Sequence, residues 1–410
     1  MPLPHRMDPA AIRGLTRARP GRRAALKLSA LAAAGAALAG CSIRGQRLTE
    51  QSPERYWAGK ESNGHLRFAN WPLYMDPERP QLDQFTQHTG ITVDYRESIQ
   101  DNPSWFGRIQ PVLASGGDIG ADLMVMTNGL EFTRLRELGY LAPLDHALLP
   151  TYADHGGSSY KNTSYDPGNR FSVPYTSGIT GIAYNPDRVD REITSLADLW
   201  DPAFRGRVGM MRDPQEIANF ALLLDGVAPA DSTPADWDAA AARLAEQRDN
   251  GIVRAYYEQD YIQPLTNGDV WLTMAWSGDV FQQNAAEGTR LEFVVPEEGG
   301  TIWTDNMMIP ITARNPVDAI MLMDFLYDPA IAADLTEYIN YVTPVPEAQD
   351  VIRDRAARAS GEERQALADL AESPLVFPTD EEYARLHSYV TPDAGDAEAF
   401  TSRFLAITQA

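Results

Sequence analysis

Carboxylates and tryptophans carry whatever chemistry this sequence can perform. Asp213-Pro214-Gln215-Glu216 sets two acids at i and i+3, so on a helix start both face the same way. The same four residues also form an ordinary cap, with Asp at the N-cap and Pro at the first helical position. The two readings are compatible, because a helix N-terminus keeps nearby carboxylates ionised. Trp303-Thr304-Asp305 places an indole beside another acid, in a loop ahead of an expected strand at Met307–Ile311. An indole next to a carboxylate suits a protonated amine, whose charge faces the acid while its methylenes lie on the ring. Filling the core is the competing role for any single tryptophan. Trp71, Trp276 and Trp303 are all expected at strand ends, which core packing does not require. Trp57, Trp105, Trp200, Trp237 and Trp271 read as tether or packing residues. Tyr256-Tyr257 could in principle offer phenolates to ferric iron, but only Glu258 stands beside them, so packing is the better account.

The common catalytic and nucleotide-binding signatures are missing. There is no Gly-x4-Gly-Lys-Ser/Thr, His-Glu-x-x-His, Cys-x-x-Cys, Gly-x-Ser-x-Gly or helix-opening Gly-x-Gly-x-x-Gly. The six histidines show no metal-ligand spacing, so neither metal nor cofactor is expected. A glycosidase needs only two carboxylates, so Asp213 or Glu216 working with Asp305 on a sugar remains an alternative. The 410 residues hold 35 Lys and Arg against 57 Asp and Glu, a formal charge of −22, which excludes nucleic-acid binding by bulk electrostatics. A cationic small solute fits that charge.

These residues need elements to hold them. At roughly 100–200 residues per domain, the length predicts two or three units with their own cores. Strands are expected at Leu66–Asn70, Ile91–Tyr95, Asp122–Met126, Ile179–Tyr184, Val208–Met211, Val270–Trp276 and Leu291–Val295. Helices between them, such as Trp105–Ala114, Leu130–Leu138 and Glu216–Leu224, make βαβ units and an α/β fold of mostly parallel sheets. The 351–372 segment is expected as one helix. Two such units leave a cleft lined by loops at strand ends: Asn70–Tyr74, Thr127-Asn128 and Trp276–Asp279.

The N-terminus carries six arginines in residues 1–23 and an Ala/Leu-rich run from Ala24 to Gly40, the pattern of an export signal. Leu38-Ala39-Gly40-Cys41 resembles the lipobox of bacterial lipoproteins. That resemblance implies cleavage before Cys41, lipidation of its thiol and attachment to a membrane surface. Arg22-Arg23 also resembles a twin-arginine signal. Without residues 1–40 the chain has 28 basic and 56 acidic residues, or −28. Residues 41–63 read as a lipid-anchored tether.

Several stretches resemble the periplasmic spermidine/putrescine-binding proteins of polyamine ABC importers: Asn70-Trp71-Pro72-Leu73-Tyr74, Ser195–Gly206, Trp276-Ser277-Gly278, Glu298–Asp305 and Tyr341-Val342-Thr343-Pro344, in that order. The resemblance implies a two-lobed type II periplasmic-binding fold: 64–176 plus 303–345 as lobe 1, 177–302 plus 346–410 as lobe 2, and ligand between them. It implies capture of a polyamine for a membrane permease, without catalysis, by a chain expected to act as a monomer. Carried over by position, Trp71 and Tyr74 line one wall and Thr127 adds a polar contact. Asp213, Glu216 and Asp305 pair with ammonium groups, and Trp276 and Trp303 stack on the methylenes beside Tyr341. Gly129 and Pro72 depart from the family pattern, and both are expected to enlarge or reshape the pocket. A sugar, an oligopeptide or ferric iron are the alternative solutes.

Overall fold

The computed structural model describes residues 52–258, 260–392 and 395–409. The export signal 1–40, the lipobox and Cys41 lie outside the described residues.

One mixed sheet organises the chain. Its strands are β1 (His65–Asn70), β2 (Thr92–Glu97), β3 (Leu123–Thr127), β4 (Ser172–Tyr184), β5 (Val208–Met211), β6 (Val253–Tyr257), β7 (Leu272–Trp276), β8 (Glu292–Val294), β9 (Gly300–Met308) and β10 (Leu386–Ser388). The order is β2-β1-β3-β9-β4-β7-β5-β6, with β10 on β9 and β8 on β4. The outer strands pair in parallel, β1 with β2 and β3, and β5 with β6 and β7. At the centre β9 runs antiparallel to β3 and β4, and β4 runs antiparallel to β7. The expectation of mostly parallel sheets therefore holds for the outer strands of each half. The middle departs from it because β4 and β9 carry the chain from one half to the other in opposite directions.

Strand length is where the sequence pattern misleads. β4 begins at Ser172, seven residues before its expected start, and β9 begins at Gly300, seven residues before the expected Met307. The added stretches hold the buried polar residues Thr176, Ser177, Thr301, Thr304, Asp305 and Asn306, which interrupt the apolar pattern by which strands are recognised. β3, Leu-Met-Val-Met-Thr, is covered on both faces and reads as a continuous apolar run.

Two large cores flank the centre. The first joins Phe68, Leu123 and Val125 to helices Pro316–Phe325 and Pro329–Ile339, and a smaller cluster around Trp105 and Phe106 fills the opposite face of β1 and β3. The second joins Met210, Leu272 and Met274 to helices Pro214–Leu224 and Pro234–Asp249, with Trp237 buried in it.

Three expectations are corrected by this packing. The C-terminal part does not go to one lobe: Ile352, Leu370 and Val376 enter the first core, whereas Val390, Phe400 and Phe404 enter the second. The supposed single 351–372 helix is two, Ala348–Arg358 and Gly361–Ala371. Residues 52–63 are also no free spacer. Helix Pro53–Trp57 buries Tyr56 in the first core, Trp57 Nε1 donates to Pro143 O at 2.8 Å, and Asn63 N donates to Asp318 at 3.0 Å. Two adjacent aromatics make docking more favourable than solvation there.

Candidate functional site

The site is laid out along one face of β9. Side chains two apart on a strand point the same way, so Thr301, Trp303 and Asp305 form a row. From Thr301 to Asp305 the extended chain spans about 13 Å. Trp303 and Asp305 therefore lie within a strand, and the expected loop location is wrong for both. Opposite Trp303 on β4 is Gly178, where a Cβ would stand 2.1 Å from the indole. Only a glycine there lets the ring lie flat across the neighbouring strand.

Asp305 is 1% exposed. Its carboxylate accepts from Thr127 Oγ1 and from Tyr74 Oη, both at 2.6 Å. Tyr74 is fixed in turn by Tyr175, whose hydroxyl donates to the Tyr74 carbonyl and whose ring stacks on it at 6.1 Å. Trp71 tilts over Tyr74 at 6.3 Å. Burial pushes the Asp305 carboxyl up to about 6, although its two hydroxyl donors pull the other way.

Glu216, 2% exposed, stands at the Thr301 end. Its Oε1 accepts from Trp276 Nε1 at 2.9 Å, Thr180 Oγ1 at 2.9 Å and Tyr389 Oη at 2.5 Å, and Thr301 Oγ1 lies 3.5 Å from Oε2. Burial raises this carboxyl to about 7, with the Asp213 charge adding to the rise and the donors opposing it. Asp213 is the N-cap of helix Pro214–Leu224, accepting from the amides of Gln215 at 2.8 Å and Glu216 at 3.1 Å. Its side chain is open to solvent yet crowded by protein, and that crowding raises its pKa against the two amide hydrogen bonds. Both the capping role and the paired-acid placement are thus present in one residue.

Aromatic rings join the two acidic ends. Trp276 meets Trp303 edge to face at 6.1 Å, and Trp303 meets Tyr341 at 5.2 Å. Eight of the nine residues singled out from sequence, Trp71, Tyr74, Thr127, Glu216, Trp276, Trp303, Asp305 and Tyr341, take part in these hydrogen bonds and ring contacts, and Asp213 caps the helix that carries Glu216. Tyr389, Thr180 and Tyr175 escaped the sequence reading, whereas Thr301 and Asp279, which accepts from Tyr261 and Tyr341, lie in stretches it named without being singled out. Thr180 and Thr301 follow from strand alternation once the strand limits are known. Tyr389 carries no local signal, because only the docking of the C-terminal segment brings it to Glu216.

Gly129 does not enlarge the pocket. A Cβ there would meet Gln215 Oε1 at 2.7 Å, so the Gln215 side chain already occupies that space, and it accepts weakly from Leu130 N at 3.4 Å. Glu131, in the next helix, Leu130–Glu137, is raised to about 7 by burial, with the Asp213 charge contributing. The Tyr256-Tyr257 pair sits in β6 at the sheet edge, outside the site. Among the described residues no cluster of three or more His, Cys, Asp or Glu could hold a metal ion, and no helix is long and apolar enough to cross a membrane.

The donors that meet these acids are hydroxyls, an indole and backbone amides, all neutral. Such a row stabilises positive charge brought between them, and the rings between the ends shield an apolar segment. The arrangement therefore suits a ligand with cationic ends and a hydrocarbon middle.

Residues 81–360 match the family model for bacterial extracellular solute-binding protein. The chain is 31% identical over 301 residues to the spermidine/putrescine-binding periplasmic protein of Escherichia coli, covering 73% of this chain and 83% of that one. It is 30% identical over 291 residues to the putrescine/cadaverine-binding protein of Pseudomonas aeruginosa, covering 68% and 79%. A solved spermidine/putrescine ABC transporter substrate-binding protein from Streptococcus pneumoniae superposes with a TM-score of 0.70 at 26% identity, covering 84% of this chain and 98% of that one.

Proposed function

This chain belongs to the spermidine/putrescine-binding periplasmic proteins within the bacterial extracellular solute-binding family, and we propose that it captures a polyamine outside the cytoplasm and delivers it to an ABC importer. Membership makes it a solute-binding transport protein with the two-lobed fold, not an enzyme. The observation that carries the ligand class is the single face of β9. An acid cradled by neutral donors stands at each end, and Trp276, Trp303 and Tyr341 lie between them.

Each ammonium of a polyamine pairs with a carboxylate through charge-assisted hydrogen bonds, and the methylenes run along the indoles. The roughly 13 Å of strand between Thr301 and Asp305 is longer than a four-carbon diamine and favours a triamine such as spermidine. With three acids near the path, Asp213 supplies the further partner that a third charge needs. Burial favours the protonated form of the Glu216 and Asp305 carboxyls. Ligand binding ionises them and stabilises the closed form through contacts with both lobes.

Calorimetric titration of the mature chain with spermidine, putrescine, spermine and a sugar panel tests this reading. Saturable heat with at least one polyamine and none with sugars is expected; no heat with any polyamine would end it. The permease is the expected partner of the closed form, with the binding protein acting as a monomer. Cys41 is the proposed lipid attachment point. Metabolic labelling with a radioactive fatty acid should mark the wild-type chain and leave Cys41→Ala unlabelled.

A further inference from the structure

Resting on the amine-binding reading above, we infer that Asp279 is a positioning residue that locks the aromatic slot together from behind, by holding one tyrosine from each core at the same time. Its Oδ2 accepts from Tyr261 Oη at 2.6 Å and its Oδ1 from Tyr341 Oη at 2.7 Å. Tyr261 is fully buried in the second core, and Tyr341 packs in the first.

Each tyrosine in turn sets one tryptophan. The Tyr261 ring meets Trp276 edge-on at 6.0 Å, and its hydroxyl accepts the Trp276 backbone N–H at 2.9 Å. The Tyr341 ring stands 5.2 Å from Trp303. Trp276 and Trp303 meet at 6.1 Å, which closes a ring of contacts: Asp279, Tyr261, Trp276, Trp303, Tyr341 and back to Asp279. The slot therefore has its full shape only when Asp279 has both partners.

The local backbone is built for this approach. Gly278 lies against Tyr341 so closely that a Cβ would stand 2.5 Å from the ring, and Gln282 Nε2 donates to Ile339 O at 2.7 Å. The first turn of helix Ser277–Glu287 thus seats on the segment that carries Tyr341. A carboxylate suits the position because two equivalent oxygens accept both hydroxyls together. An asparagine has one acceptor oxygen and can hold only one of them in the same geometry.

The test compares the wild-type mature chain with Asp279→Asn, Tyr261→Phe, Tyr341→Phe, the double tyrosine variant and the triple variant, by spermidine calorimetry, tryptophan fluorescence and unfolding of the ligand-free proteins. Asp279→Asn is expected to weaken spermidine about tenfold and to blunt the ligand-induced change in tryptophan emission. In the background with both tyrosines replaced, adding Asp279→Asn should cost less than about twofold more, because its effect passes through them. Wild-type affinity in folded Asp279→Asn overturns the inference. So does a tenfold loss that persists without the tyrosine hydroxyls, which would mean the charge acts directly on the ligand. If Asp279→Asn does not fold, the single tyrosine variants decide: weaker binding in each supports the inference, and wild-type affinity in both overturns it. Absence of any polyamine heat in the wild type is a failure of the amine-binding reading itself, and is seen before any variant is measured.

Discussion

Asp122, immediately before β3, and Asp305, in the adjacent β9, are buried acids, 0% and 1% exposed, and their surroundings differ completely. Asp122 takes two hydrogen bonds from the Arg67 guanidinium, at 2.9 and 2.7 Å, with more from Asn315 and from the Arg314 backbone. Burial pushes its pKa up, but the Arg67 and Asn315 hydrogen bonds and the Arg67 charge outweigh it and hold the carboxyl near 2. Asp305 has two neutral hydroxyls, and burial wins, to about 6. An acid whose charge is already neutralised belongs to the architecture. An acid buried among neutral donors is poised for a cation that arrives from outside.

This contrast can be broken by mutation. The largest expected effect is on stability: Asp122→Ala should cost about 3 kcal/mol, because it strands part of a buried ion pair. Denaturant unfolding measures that loss, and the folded remainder should keep its polyamine affinity. Asp305→Asn should do the reverse, weakening spermidine by about 1.5–3 kcal/mol in calorimetry while the ligand-free protein unfolds no more easily than wild type. Equal losses of stability and affinity in both variants would erase the distinction.

The second way to sharpen it is pH. A raised carboxyl keeps, in the folded ligand-free protein, a proton that the unfolded chain has already given up. For Glu216, shifted from 4.5 to about 7, this means that ligand-free stability falls as pH rises across that window. Amine binding needs the ionised acids, so affinity should climb from pH 5 to pH 7.5, with protons released on binding near pH 6. Titrations in buffers of different ionisation enthalpy measure that release. Asp122 is ionised throughout this range and should contribute nothing to it. The smallest effect is expected from Tyr389→Phe, which removes one of the donors on Glu216 and should weaken spermidine by about 1 kcal/mol.

Part of this was legible without coordinates. Asp213-Pro214-Gln215-Glu216 is a local signal, since a cap and an i, i+3 pair are both set by a few consecutive residues, and the structure realises the cap. Trp71 and Trp276 stand at strand ends as their positions suggested, while Trp303 and Asp305 turned out to lie inside β9. That error has a physical source. A strand that lines a ligand site buries threonines and an aspartate on one face, and an apolar-period reading takes such a strand for a loop.

The sequence by itself determined the acidic balance, the α/β alternation and the carboxylates and tryptophans proposed to meet a cationic chain, because composition and short-range spacing are properties of the chain alone. Tertiary structure decided which acids remain without a cation. It also decided that Gln215 fills the space beside Gly129, that Tyr389 and Tyr261 reach the site from other segments, and that Asp279 meets both Tyr261 and Tyr341. Burial and pairing depend on what packs against a carboxylate from the rest of the fold. They separate Asp122 from Asp305 where residue type does not.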